Sequence, residues 1–241
     1  MANNIANKLV VNAKSAEEIE KFLETIKGET EDDILHIDFN KIIPIPEELI
    51  DTEESTKTAN SLYYYLTKTN KEGIIPKVIS HSQFYNMSRF DNCTPEELEE
   101  YMTTGEKYFN LYLKYGHITW YDWRIANWGT KWNAYDTYID DCGDKYAIIF
   151  FYTAWSGVPE IIYKLVEMFP NLSFEYVYAD EDISYNCGEG RKNEDGVFII
   201  NRAEEGSDEA MELYIEAWQE DWSNFKQTDN GWEYDWGEDD E

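Results

Sequence analysis

The side chains best placed to do chemistry in this 241-residue sequence are carboxylates, set at helical spacing near the C-terminus. Glu204, Glu205, Asp208, Glu209, Glu212, Glu216, Glu220 and Asp221 crowd the stretch after Ala203, and Asp235, Glu238, Asp239 and Asp240 continue it to Glu241. Met211, Tyr214, Ile215, Trp218 and Trp222 recur there at i, i+3 and i+4. The spacing predicts an amphipathic helix over 207–224, apolar on one side and acidic on the other. Glutamates at that spacing repel by ~0.2–0.5 kcal/mol per pair, a cost that burial of the Trp stripe offsets. Ordered carboxylates of this kind can stand where phosphates stand in a basic groove. The plainer role for them is a solvated coat that keeps the chain in solution.

The whole chain leans the same way. Fifty acids face twenty Lys plus Arg, a formal net charge of −30, and residues 131–241 hold 28 of the acids against 7 bases. Such a surface repels nucleic acid and membranes and attracts basic clefts. Hydrophobic residues at 42% and aromatics at 16% are too abundant for a disordered acidic chain, so a folded body must lie beneath. Cys93, Cys142 and Cys187 are few, odd in number and far apart, which fits a reducing compartment. There is no leader-like start and no apolar run of membrane-spanning length, so a soluble protein of the host cytoplasm, without membrane contact, is expected.

A second cluster, Trp120-Tyr-Asp-Trp-Arg-Ile-Ala-Asn-Trp-Gly-Thr-Lys-Trp132, interleaves aromatics with bases. Trp120, Trp123, Arg124, Trp128 and Trp132 could line a cleft that stacks a nucleotide or small signalling molecule. Their ordinary role is to fill the space beside a sheet. His36, His81 and His117 are isolated, with no metal-ligand spacing. Asp180-Glu181-Asp182 begins like a calcium loop, but Tyr185 stands where the turn wants Gly and Arg191 where a bidentate Glu is needed. Cys142 sits between acids, which disfavours a thiolate. No nucleophile elbow, phosphate loop or dinucleotide fingerprint occurs. The residues call for no cofactor and name no catalytic set.

Several elements must position these residues. Lys8–Ala13 reads as a strand, Ser15-x-x-Glu18 as a capping box for a helix, and Ile34–Ile43 as a second strand completing a β-α-β unit. Residues 47–128 read as a helical insertion, with Thr94-Pro95-Glu96-Glu97 a strong helix start. Tyr135–Asp141 and Lys145–Trp155 read as a hairpin whose second strand is central. A helix opens at Ser156–Pro159, and strands at 172–178 and 197–201 follow. The plan is α+β: a ferredoxin-like antiparallel sheet with two helices on one face. It comprises a core of residues 1–46 and 129–202, the insertion at 47–128, and an acidic helix and tail at 203–241.

Asn40-Lys-Ile-Ile-Pro-Ile-Pro-Glu-Glu-Leu49, Asn127-Trp-Gly-Thr-Lys-Trp-Asn-Ala134 and Thr153-Ala-Trp-Ser156 resemble segments of the Api92-like proteins, also described as having a YubB-type ferredoxin-like domain. The resemblance runs over roughly 1–202, with the part after Ala203 as an addition. It implies the same fold and an origin in phages, plasmids or other mobile elements, and it carries over no catalytic residue. Charge and resemblance together lead to one expectation: a non-enzymatic inhibitor that mimics nucleic acid and binds a CRISPR effector or restriction enzyme. The aromatic ligand cleft is the alternative.

Overall fold

The computed structural model describes residues 3–28, 36–71, 73, 87–228 and 231–236. It divides into two units, residues 1–44 with 127–241, and residues 45–126. In chain order the elements are β1 (Asn4–Asn12), α1 (Ala16–Ile26), α2 (Phe39–Ile42), α3 (Glu47–Ile50), α4 (Thr56–Lys68), α5 (Pro95–Tyr115), α6 (Trp120–Trp128), β2 (Tyr135–Gly143), β3 (Tyr146–Ala154), α7 (Pro159–Met168), β4 (Ser173–Asp180), β5 (Gly188–Lys192), β6 (Phe198–Arg202), α8 (Asp208–Trp218), β7 (Phe225–Thr228) and β8 (Gly231–Tyr234).

β1 lies between β3 and β4 and pairs antiparallel with both. The sheet order is β2-β3-β1-β4-β5-β6, with every pairing antiparallel. The first four strands with α1 and α7 make the ferredoxin-like β-α-β-β-α-β plan, and β5 and β6 widen it. Alternation along β1 assigns the two faces. Ile5, Asn7, Leu9 and Val11 are buried on one side. There Phe22 of α1 meets Phe174 of β4 at 5.8 Å and Phe169, just past α7, at 5.3 Å, both edge-on. On the other side Ala6, Val177 and Ala179 pack with Ala210, Met211, Leu213, Tyr214 and Ala217 of α8. The acidic helix is therefore a third layer, covering the face that α1 and α7 leave open.

A buried polar network ties the central strands together. Asn7, fully buried, donates from Nδ2 to Thr153 Oγ1 (2.9 Å) and Ile5 O (2.9 Å). Its Oδ1 accepts from Tyr176 Oη at 2.6 Å, and that hydroxyl accepts from Val158 N at 2.9 Å. Burial pushes the Tyr176 hydroxyl well above the usual phenol range, so it stays a donor.

In residues 45–126 the Thr94 capping box forms in both directions: Thr94 N donates to Glu97 Oε2 (2.7 Å) and Glu97 N to Thr94 Oγ1 (3.2 Å). Gly105 marks where α5 crosses α4. A Cβ there would sit 2.2 Å from Ser61 O and 2.5 Å from Tyr65 Cβ, so only glycine allows the approach.

Four expectations need correction. Of the strand expected over Ile34–Ile43, residues 34 and 35 lie outside the described residues. Only Ile37 pairs, in an isolated bridge with Lys27, and Phe39–Ile42 is a helical turn whose first N–H groups Asp38 caps through Asn40 N. The neighbours of β1 come from later in the chain. At α1, Ser15 makes no side-chain cap, and Glu18 Oε2 accepts from Lys14 N at 2.9 Å, one residue ahead of the N-cap, so the box itself does not form. The acidic helix ends at Trp218, where Gln219 turns left-handed at φ 56°, so Glu220, Asp221 and Trp222 lie beyond it. Between the strands expected at 172–178 and 197–201 the structure adds a further one, Gly188–Lys192, where a Cβ on Gly188 or Gly190 would meet the rings of Tyr178 or Phe198 within 2.8 Å. Bare glycine backbone there lets those rings lie across the strand.

Candidate functional site: an acidic helix and an aromatic sheet end

The acidic helix is built as a rigid mount. Ser207 caps it through Ala210 N (3.0 Å), Ala210, Met211 and Ala217 are at most 3% exposed on the sheet, and Trp218 Nε1 donates to Asp180 O at 2.9 Å. Tyr214 packs edge-on against Phe225, which brings the β7–β8 hairpin against the same helix. The glutamates are turned outward by the geometry that turns the alanines inward.

The expected partner-binding acids fall into three sets. Glu216 pairs with Lys8 of β1 (2.9 Å), Glu205 with Arg202 (2.6 Å) and Asp235 with Lys226 (3.1 Å), so a cation offsets each. Asp208 accepts from Gln227 Nε2 (3.2 Å), Glu220 from Asn224 Nδ2 (3.0 Å) and Asp221 from Ser223 N (2.8 Å), which fixes the carboxylates and keeps their charge. The bond from the Ser223 backbone also holds the Asp221 carboxyl below its ordinary range. Glu204, Glu209 and Glu212 are exposed and have no partner among the described residues. Glu238, Asp239 and Asp240 lie outside the described residues.

The aromatic candidates separate. Trp128 is 1% exposed, donates from Nε1 to Ile43 O (2.8 Å) and meets Phe39 edge-on. An indole so enclosed has no face for a ligand. Trp120, Trp123 and Arg124 fall within residues 45–126; Trp123 is buried and the Arg124 guanidinium stacks on Trp120 at 4.9 Å. Trp132, 46% exposed, belongs to the sheet unit.

The segments that carry the family resemblance meet at one end of the sheet. Asn133 accepts from Phe39 N (2.7 Å) and donates to Asp38 (3.0 Å). Thr130 Oγ1 donates to Ala154 O (2.9 Å) and accepts from Ala154 N (3.2 Å). Lys131 lies between two indoles, its Nζ 3.9 Å from the Trp132 ring centre and 3.8 Å from that of Trp155. Trp155 is 44% exposed and adopts φ 70°, a left-handed backbone that is costly for so large a residue. Sequence reasoning did not place Trp155 among the candidate site residues; its signal was a Trp directly after the central strand, within the Thr153-Ala-Trp-Ser156 segment.

Beside it, Trp155 O accepts from Asn186 Nδ2 (3.4 Å), and Asp180 accepts from Asn186 and from Asn3. The apparent calcium loop thus spends its first acid closing its own turn. An open depression of about 440 Å³ follows, lined by Glu181, Asp182, Ile183, Tyr185 and Trp232. Among the described residues no His, Cys, Asp and Glu group has the arrangement of a metal site, and no helix is long and apolar enough to cross a membrane.

Residues 128–227 match a family described as the ferredoxin-like domain in Api92-like protein. The match runs through α8, so the acidic helix belongs to the shared domain rather than following it, as its place in the sheet packing requires. Among solved structures the chain is similar to the crystal structure of a protein api92 from Yersinia pseudotuberculosis, with a TM-score of 0.41 and 8% identity over 85% of this chain and 99% of that one. No curated protein matches.

Proposed function

Residues 128–227 match the ferredoxin-like domain in Api92-like protein, and from that premise we propose that this chain is a non-enzymatic mobile-element protein that inhibits a host nucleic-acid-binding defence protein by occupying its basic cleft. The observation that carries the reading is the mounting of α8: its apolar side is docked on the sheet while its Glu209 and Glu212, and Glu204 ahead of the helix, are exposed without partners among the described residues. A solubility coat needs charge but no fixed geometry; a phosphate substitute needs both.

The spacing limits how the mimicry works. A rise of ~1.5 Å per residue sets Glu209, Glu212 and Glu216 roughly 4.5 and 6 Å apart along the helix. One DNA strand advances ~3.4 Å per phosphate. That row is sparser than a strand, so Asp208 at the start of the helix and Glu220 and Asp221 beyond it must contribute as well. A CRISPR effector, with basic guide and target channels, or a restriction enzyme supplies the matching surface.

The test measures DNA binding by such proteins with and without the full-length chain, at ~50 and ~200 mM salt, where screening lengths differ about twofold. Expected is inhibition that weakens with salt and falls at least tenfold in a Glu204→Gln, Glu209→Gln, Glu212→Gln variant. Undiminished inhibition by that variant would overturn the proposal, as would none at low salt across a panel of basic-cleft proteins.

A further inference from the structure

The depression beside β4 has the chemistry of a cation receptor, and its walls are prepared for the task. Glu181 Oε2 accepts from both Asn4 N (3.0 Å) and Asn4 Nδ2 (2.9 Å), so β1 fixes this carboxylate in place. Asp182 Oδ2 receives Asn3 Nδ2 at 3.4 Å. Tyr185 is 46% exposed, and Trp232, anchored edge-on against Trp222 at 5.3 Å, supplies the second ring. The recess is an open surface depression of about 440 Å³, which suits a side chain presented by another protein.

The same end of the sheet already holds a cation on aromatic rings. The Lys131 ammonium between Trp132 and Trp155 shows indoles of this unit serving as an ammonium cage. The Glu181–Trp232 depression likewise has two aromatic residues in its lining and adds two carboxylates, and none of its described lining residues is basic. An acidic, aromatic-walled recess suits guanidinium better than ammonium, because guanidinium is planar, stacks on rings and forks to carboxylates.

We infer that the recess lined by Glu181, Asp182, Tyr185 and Trp232 binds an arginine side chain of a partner protein. The inference needs no carboxylate of α8, so it stands or falls apart from nucleic-acid mimicry. If both hold, the helix supplies long-range attraction and the recess supplies the anchor, since arginine and aromatic residues dominate binding energy at interfaces.

The experiment titrates the full-length protein with the capped peptide Gly-Arg-Gly and its lysine and citrulline counterparts, following backbone and indole N–H resonances. Expected is saturable binding of the arginine peptide, with shifts at Glu181, Asp182, Tyr185 and the Trp232 indole. The citrulline peptide should bind at least tenfold more weakly and the lysine peptide several-fold more weakly. Glu181→Gln with Asp182→Asn should weaken arginine binding at least tenfold, and Tyr185→Ser, at an exposed position, should weaken it without unfolding. Glu209→Gln with Glu212→Gln should leave it unchanged, whatever that pair does to inhibition of a nuclease. Equal binding of citrulline, shifts confined to Trp132 and Trp155, or no saturable binding would each overturn the inference.

Discussion

Replacing Tyr176 by Phe removes one oxygen from a fully buried ring, and the structure makes that oxygen worth more than a single hydrogen bond. Tyr176 Oη donates to Asn7 Oδ1 and accepts from Val158 N, and Asn7 and Val158 are both 0% exposed. The ring remains, so no large cavity opens. Two polar groups lose their partner with no water to replace it, and each such group costs ~1–3 kcal/mol. The expected loss is about 2–5 kcal/mol, a large share of a typical domain stability of ~5–15 kcal/mol. Tyr178→Phe is the control: its ring stacks on Tyr176 at 5.6 Å, but its hydroxyl has no hydrogen-bond partner among the described residues, and a change within ~0.5 kcal/mol is expected. Urea denaturation followed by Trp fluorescence gives the loss, and amide exchange at Leu9 and Phe151 separates the sheet unit from residues 45–126. Exchange at Val158 should accelerate most. A loss below ~1 kcal/mol, or an equal loss in both variants, would refute the argument that the hydroxyl serves two buried groups.

Gly105→Ala should destabilise residues 45–126 by ~1–3 kcal/mol through overpacking, despite alanine's better helix propensity, because the new Cβ meets Ser61 O at 2.2 Å; local amide exchange reads it. Burial pushes the Cys187 thiol up to about 12 and the Tyr214 hydroxyl up to about 12. Both groups lose their protons first in the unfolded chain, so their contribution is whole below pH ~9 and declines as pH rises toward ~12, by ~1.4 kcal/mol per pH unit for each group while it titrates. Cys187→Ala should flatten that decline by one proton's worth in denaturation curves between pH 8 and 11. With a thiol-specific reagent at pH 8, exposed Cys142 should react in the folded protein and buried Cys187 only on unfolding. Lys8→Gln releases Glu216 from its ion pair, changing stability by no more than ~1 kcal/mol. It should strengthen low-salt inhibition of a basic-cleft protein in a competition assay; weaker inhibition would contradict the assignment of that face.

What the sequence made legible was whatever depended on near neighbours. The β2–β3 hairpin, the Thr94 capping box and the Pro159 helix start each follow from residues within a few positions of one another. The failures came where spacing is ambiguous or partners are distant. Leu35, Ile37 and Phe39 alternate like a strand, but Phe39 and Ile42, three apart and both buried, suit a helical turn equally, and Asp38 decides between them by capping. Gly188 and Gly190 look like loop residues until the rings of Tyr178 and Phe198 are seen against them. The acids of α8 were readable as a face, yet the cancellation of Glu216 by Lys8 was not, because that pairing spans the chain. Trp128 stood out for its type and proved to be core; Trp155 and the Glu181–Trp232 recess required the fold to bring distant segments together.

The position of α8 bears on which partner class the molecule suits. Sheets of ferredoxin-like order that read RNA do so with rings on the open face, stacking successive bases. Here that face carries Tyr138, Phe150 and Tyr152, and all three are engaged: Tyr152 packs on Trp218 at 5.5 Å, and Tyr138 lies flat on Phe150 at 5.4 Å while its hydroxyl bonds Gln219. Lys8, on the same face, is bound to Glu216. The surface best suited to bases is thus covered by a segment whose outer side is anionic, and the sign of the face is inverted relative to a nucleic-acid reader. Solubility would be served by glutamates on any loop. Burying Met211, Ala210 and Ala217 holds the glutamates of α8 over this particular face, the arrangement that the proposed binding to a basic groove calls for.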